Sequence, residues 1–114
     1  MSVTIYHNPR CSKSRATLTL IKEAGFDPEI IEYMKTPPAV ETLRELLKLL
    51  KMEPGQLIRR NESVFKEMNL ASADEQALLE AMSREPRLIQ RPIVVRGSRA
   101  KLGRPPEDVM ELLK

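Results

Sequence analysis

Apolar residues fall along this chain in two rhythms, and the rhythm changes several times. Val3-Thr4-Ile5-Tyr6 is a short β-branched and aromatic run that reads as a strand, and Asn8-Pro9 breaks it. From about Cys11 the spacing turns helical through Leu18, Ile21 and Lys22, and Gly25 is placed to stop the helix. Ile30-Ile31-Glu32-Tyr33 reads as a second strand. One helix between two strands makes a right-handed βαβ unit with the strands parallel.

Thr36-Pro37-Pro38 ends this unit and starts another helix. Leu43, Leu46, Leu47 and Leu50 recur at helical spacing and give it one apolar stripe. Pro54-Gly55 breaks that helix, and short helices are expected over 56–58, 64–68 and 74–83. Nothing between 35 and 88 has a strand pattern. Then Ile93 to Val95 alternates as a strand, Gly97-Ser98 is a two-residue hairpin turn, and Ala100 to Leu102 returns antiparallel. Pro105-Pro106 starts a last helix whose apolar face is Val109, Leu112 and Leu113. The expectation is one α/β domain over residues 1–114 with the order β-α-β, a helical insertion at about 40–87, then β-β-α. That order gives a mixed four-stranded sheet flanked by helices.

Composition narrows the function classes. At 114 residues, 41% hydrophobic and 31% charged, the chain can bury one core without disulfides or metal. No apolar run approaches the ~20 residues of a membrane span. The start, MSVTIYHNPR, lacks the apolar core of a secretion signal. A single cysteine cannot form an internal disulfide, and together these features favour the reducing cytoplasm. A monomer without membrane attachment is the working expectation. The net charge of +3 suits a small anion or an acidic partner surface. Lysines and arginines are spread out, and Tyr6, Phe26, Tyr33 and Phe65 lack the spacing for base stacking, so no nucleic-acid partner is expected.

The candidate chemistry lies in HNPRCSKSR, residues 7–15, which holds the only histidine and the only cysteine. Cys11 falls where a strand hands over to a helix N-terminus. There the free N–H groups and the helix dipole favour a thiolate and can hold an oxyanion. Ser12 and Ser14 add hydroxyls, Arg10, Lys13 and Arg15 add positive potential, and His7 is a candidate to stabilise the thiolate. A lone cysteine is equally compatible with a small buried hydrophobe, and these cations with a solvated surface. Other chemistries are excluded. The cysteine-phosphatase loop would need arginine at Thr17, and a dithiol motif would need cysteine at Ser14. One histidine and one cysteine are too few to ligate a metal.

YHNPRCSKSR, TPP at 36–38, LIRRN at 57–61, IQRPIVV at 89–95 and LGRPPE at 102–107 together resemble the ArsC family, in the family's order and across nearly the whole chain. These are glutaredoxin-coupled arsenate reductases with a thioredoxin-like fold. The resemblance implies that Cys11 is the catalytic cysteine. It implies that Arg59, Arg91 and Arg104 bind the arsenate oxyanion, that His7 and Ser14 sit beside the thiolate, and that Pro92 is the cis-proline facing the site. Spacing alone does not separate Arg59 from Arg60.

Arginine suits the implied substrate because its planar fork can pair two oxygens and never loses its charge. The implied reaction is attack of Cys11 on arsenic, reduction by glutathione as co-substrate with no bound cofactor, and resolution of the mixed disulfide by glutaredoxin. The need for outside thiols agrees with the single cysteine. Two further readings belong to the same fold family. One is an Spx-type regulator binding RNA polymerase, whose common Cys-x-x-Cys switch Ser14 rules out here. The other is a relative acting on another oxyanion or on glutathionylated thiols.

Overall fold

The computed structural model describes residues 2–114. They group into two compact units, one formed by the chain up to Thr36 together with Arg91–Lys114, the other by Pro37–Gln90.

The first unit carries the sheet. Strand β1 (Val3–His7) leads into helix α1 (Ser12–Glu23), and β2 (Glu29–Glu32) follows. After the second unit the chain returns as β3 (Ile93–Arg96) and β4 (Arg99–Leu102) and ends in a helix over Pro106–Leu113. The strand order is β2-β1-β3-β4. β1 and β2 run parallel with Ile5 opposite Ile30, while β1–β3 and β3–β4 are antiparallel with Ile5 opposite Val94 and Val95 opposite Ala100. This is the mixed four-stranded α/β sheet that the pattern predicts.

Val3, Ile5, Ile21, Val94, Val109 and Leu112 form its buried core, with Phe26 packed against it. The core therefore joins one sheet face to α1 and the last helix. Gly25 closes α1 as expected. At φ +91° it lets its own N–H reach Lys22 O (3.0 Å) and the N–H of Phe26 reach Ile21 O (3.2 Å), which turns Phe26 onto the core.

Two details differ from the sequence reading. The second strand starts a residue earlier and leaves Tyr33 outside it, buried. The last helix is 3-10, not α; behind Pro105 it opens with the three-residue step from Asp108 N–H to Pro105 O. Arg96 secures that helix from β3. Its Nη1 donates to Leu112 O (2.6 Å) and Lys114 O (3.2 Å), and its guanidinium lies 4.7 Å from the centre of the Phe26 ring.

The second unit is helical: α2 (Val40–Leu50), α3 (Pro54–Leu57), α4 (Ser63–Glu67) and α5 (Glu75–Arg84), with single 3-10 turns at Leu70–Ser72 and Pro86–Leu88. The leucine stripe of α2 buries Leu43, Leu46 and Leu47. Asp74 caps α5 by accepting from the Ala77 N–H at 2.9 Å. One feature departs from the purely helical expectation. Ile58 and Ile89 form an isolated antiparallel bridge, with Arg59 N–H bonded to Leu88 O and Gln90 N–H to Leu57 O. It is too short to leave a strand pattern in the sequence.

Candidate active site

Cys11 is the N-cap residue of α1, extended at φ −96°, half-buried and unbonded to any second cysteine. Its loop is held by backbone contacts that Asn8 and Pro9 supply. The Cys11 N–H donates to Asn8 O (3.0 Å), the Arg10 N–H to Asn8 Oδ1 (3.0 Å) and Arg15 Nη1 to Pro9 O (2.8 Å). Asn8 and Pro9 thus do more than end β1: they set the thiol at the helix mouth.

The environment holds the Cys11 thiol below its ordinary range. Burial alone would raise it, but the Ser14 N–H, the charge of Arg91, the Lys13 N–H and a hydrogen bond from Arg91 outweigh that cost. The thiol form makes no capping hydrogen bond to the helix. The amides at the first turn act on the anion, which is the better acceptor. The sequence-based expectation of a helix-mouth thiolate therefore finds its physical basis, with one specific cation added from 80 residues away in the chain.

The structure assigns the loop's other groups differently from that expectation. The side-chain charge that lowers the thiol is that of Arg91, from β3's end of the chain rather than from the loop itself. The Ser14 hydroxyl is fully buried and committed elsewhere, bonded to His7 Nδ1 at 2.6 Å and accepting from the Asn8 N–H at 3.0 Å. It is the backbone of Ser14 that reaches Cys11. The His7 ring nitrogen Nδ1 is engaged with the Ser14 hydroxyl. Burial lowers its pKa first, Glu32 pulls it up, and Arg15 and Lys22 push it down again, for a net shift below the ordinary value. The shift favours the neutral imidazole, and its bond to Ser14 ties β1 to the first turn of α1.

Arg91 and Arg104 stand at the open end of the β3–β4 hairpin. Its register pairs Ile93 with Leu102, and the next step outward is the bond from the Gly103 N–H to Pro92 O at 2.9 Å. One residue beyond lie Arg91 and Arg104, opposite each other by register, and each precedes a cis-proline, Pro92 and Pro105. The cis bond at Pro105 has no counterpart in the sequence reading. Gly103 is required by a close approach. A methyl group there would come within 2.5 Å of Thr17 Oγ1 and 2.8 Å of Pro92 Cγ, so α1 and the hairpin meet at this glycine.

The two arginines differ in setting: Arg104 is exposed, while Arg91 has Nε and Nη1 buried without a hydrogen-bond partner. Buried donors on a cation are costly unless something accepts from them.

Arg59 lies in the second unit, just before the 60–62 turn, with its Nη1 3.8 Å from Glu62 Oε1. The neighbouring Arg60 is engaged within that unit. It bonds Gly55 O at 3.3 Å and covers the Phe65 ring at 5.5 Å. Among the described residues no cluster of histidine, cysteine and carboxylates could hold a metal ion. No helix among them is long and apolar enough to cross a membrane.

A mixed four-stranded sheet with an activated cysteine at the mouth of α1 and a cis-proline at the start of β3 defines a thioredoxin-like α/β protein. More narrowly, the chain belongs to the ArsC family, which it matches over residues 6–112. It is 53% identical over 114 residues to the Escherichia coli K12 protein YfgD, which is described as uncharacterized, with 97% of this chain and 96% of that one covered. It is 43% identical to an arsenate reductase of Haemophilus influenzae, covering 99% of this chain and all of the relative. Among solved structures, an arsenate reductase from Vibrio cholerae superposes with a TM-score of 0.94 at 47% identity, covering 97% of both chains.

Proposed function

We propose that this protein reduces arsenate to arsenite in the cytoplasm as a monomer, with the Cys11 thiolate as nucleophile and glutathione and glutaredoxin as the outside thiols. One observation carries the reading. Arg91 favours the Cys11 thiolate with one part of its guanidinium and leaves Nε and Nη1 buried without partners. A tetrahedral oxyanion bound against the thiolate satisfies those donors with its own oxygens. Arg104, the register partner of Arg91, supplies a second cation to the same anion. Arg59 is the third by family resemblance alone.

In the first step the Cys11 sulfur attacks the pentavalent arsenic. An As–O bond breaks, the oxygen leaves as water after protonation, and a sulfur–arsenic bond forms. Glutathione thiolate then attacks the Cys11 sulfur. The electron pair of the S–As bond goes to arsenic, which leaves trivalent as arsenite, and Cys11 is left as a mixed disulfide with glutathione. Glutaredoxin attacks the glutathione sulfur of that disulfide and restores the Cys11 thiolate. With Ser14 where a second thiol would be needed, no internal resolution is available.

The test is NADPH consumption on adding arsenate, with glutathione, glutathione reductase and glutaredoxin present. Arsenate-dependent turnover that Cys11→Ser abolishes is expected. Absence of turnover, or turnover that survives Cys11→Ser, overturns the proposal.

A further inference from the structure

Two cations beside the thiol have no task in the site as described. Arg10 and Lys13 flank Cys11, one residue before it and two after it, and both are exposed. Among the described residues neither side chain makes an ion pair or a hydrogen bond, whereas Arg15 spends its guanidinium on Pro9 O. The charge that lowers the thiol is that of Arg91, which leaves the Arg10 and Lys13 head groups facing solvent. The stretch 7–22 carries four lysines or arginines and no carboxylate, so nothing local neutralises them. Asn8 bonds the backbone of Arg10 and Cys11, and Lys13 sits in the first turn of α1, so both charges are presented from held backbone around a half-buried sulfur.

We infer that Arg10 and Lys13 form a cationic rim that selects acidic thiols and their disulfides, gripping carboxylates while Cys11 exchanges sulfur. The inference rests on the reading that Cys11 trades with glutathione, and it names the residues that recognise that partner. Glutathione carries net negative charge, and its disulfide carries it on each half. The exchange balances without any further reactant. The Cys11 thiolate attacks one sulfur, the S–S bond breaks, one glutathione leaves as thiolate, and a mixed disulfide forms. Two cations near the reacting sulfurs stabilise the approach of such a disulfide and give nothing to an uncharged one.

The experiment is the rate of mixed-disulfide formation at Cys11, followed by mass spectrometry, with oxidised glutathione and with uncharged hydroxyethyl disulfide. The ratio of the two rates is compared in the wild type, Arg10→Gln, Lys13→Gln and the double variant. Taking the ratio within each protein cancels any change in thiolate population. Each single variant should lower the ratio about three- to five-fold at low salt, the size of one unscreened contact in water. Added salt should bring the wild type toward the double variant. An unchanged ratio in the double variant, or a wild-type ratio indifferent to salt, overturns the inference. A charge preference without arsenate turnover would sink the arsenate reading and leave the rim standing. Arsenate turnover without the preference would do the reverse.

Discussion

Arg96 is the side chain on which the seating of the last helix depends most visibly, and Arg96→Ala measures it. Three contacts vanish in that variant: a 2.6 Å bond to Leu112 O, a 3.2 Å bond to Lys114 O and the stack at 4.7 Å on Phe26. A part-exposed cation over an aromatic ring is worth about 0.5–1 kcal/mol. A charged donor to a partly buried carbonyl adds about 1–1.5 kcal/mol, and the exposed bond to Lys114 adds little. The sum is about 2 kcal/mol, which for a chain of this size lowers Tm by roughly 8 °C.

Thermal and urea denaturation followed by circular dichroism read the change. Arg96→Met separates its parts, because it keeps an apolar stem over Phe26 and loses the carbonyl bonds. It should fall between the wild type and Arg96→Ala. A loss below about 0.5 kcal/mol in Arg96→Ala, within the range of an ordinary surface change, would refute the reasoning.

Three other outcomes follow from the site and its supports. Iodoacetamide alkylation of Cys11 should have a pH midpoint below about 8.5, and Arg91→Ala should raise it while Arg84→Ala on α5 does not. Equal midpoints in the two variants would remove Arg91 from the thiolate's surroundings. His7 is held below its ordinary 6.5 chiefly by burial, so the folded protein resists a proton that the unfolded chain accepts. That contribution is intact above the unfolded value and is lost as pH falls through it. Urea stability should therefore drop more steeply from about pH 7 to 5 in the wild type than in His7→Gln; parallel slopes would contradict the burial argument. Gly25→Ala has open space around the added methyl, so its cost is the φ of +91° alone, about 1–2 kcal/mol by urea denaturation. A neutral result would mean that α1 can end without this turn.

The sheet was legible in the sequence because its strands are local events. Val3–Tyr6 and Ile93–Val95 have β-branched runs with breakers on both sides, and Gly25 and Gly97-Ser98 mark turns that only certain residues make easily. The Ile58–Ile89 bridge was not legible, since one pair of residues has no period to detect. The site was half legible. The position of Cys11 at a helix start follows from the break at Asn8-Pro9. Its main cation does not, because Arg91 is brought to it by the return of β3, and no spacing rule spans that distance. For His7 and Ser14 the resemblance implies a place beside the thiolate, and the sequence does not show that the two side chains bond each other at 2.6 Å, because a contact across seven residues leaves no local signal.

The last rung of the hairpin, from the Gly103 N–H to Pro92 O, makes β3 and β4 work as a calliper. Arg91 and Arg104 are its jaws, and the setting is fixed at the jaw end by the methyl-free contact of Gly103 with Thr17 and Pro92. The handle is the exposed Gly97-Ser98 tip, four ladder pairs away. Length added at the handle leaves the gauge unchanged. The tip is therefore the natural place to graft a tag, a fluorophore or a binding loop onto this scaffold, while a single methyl at the other end is enough to spring the jaws.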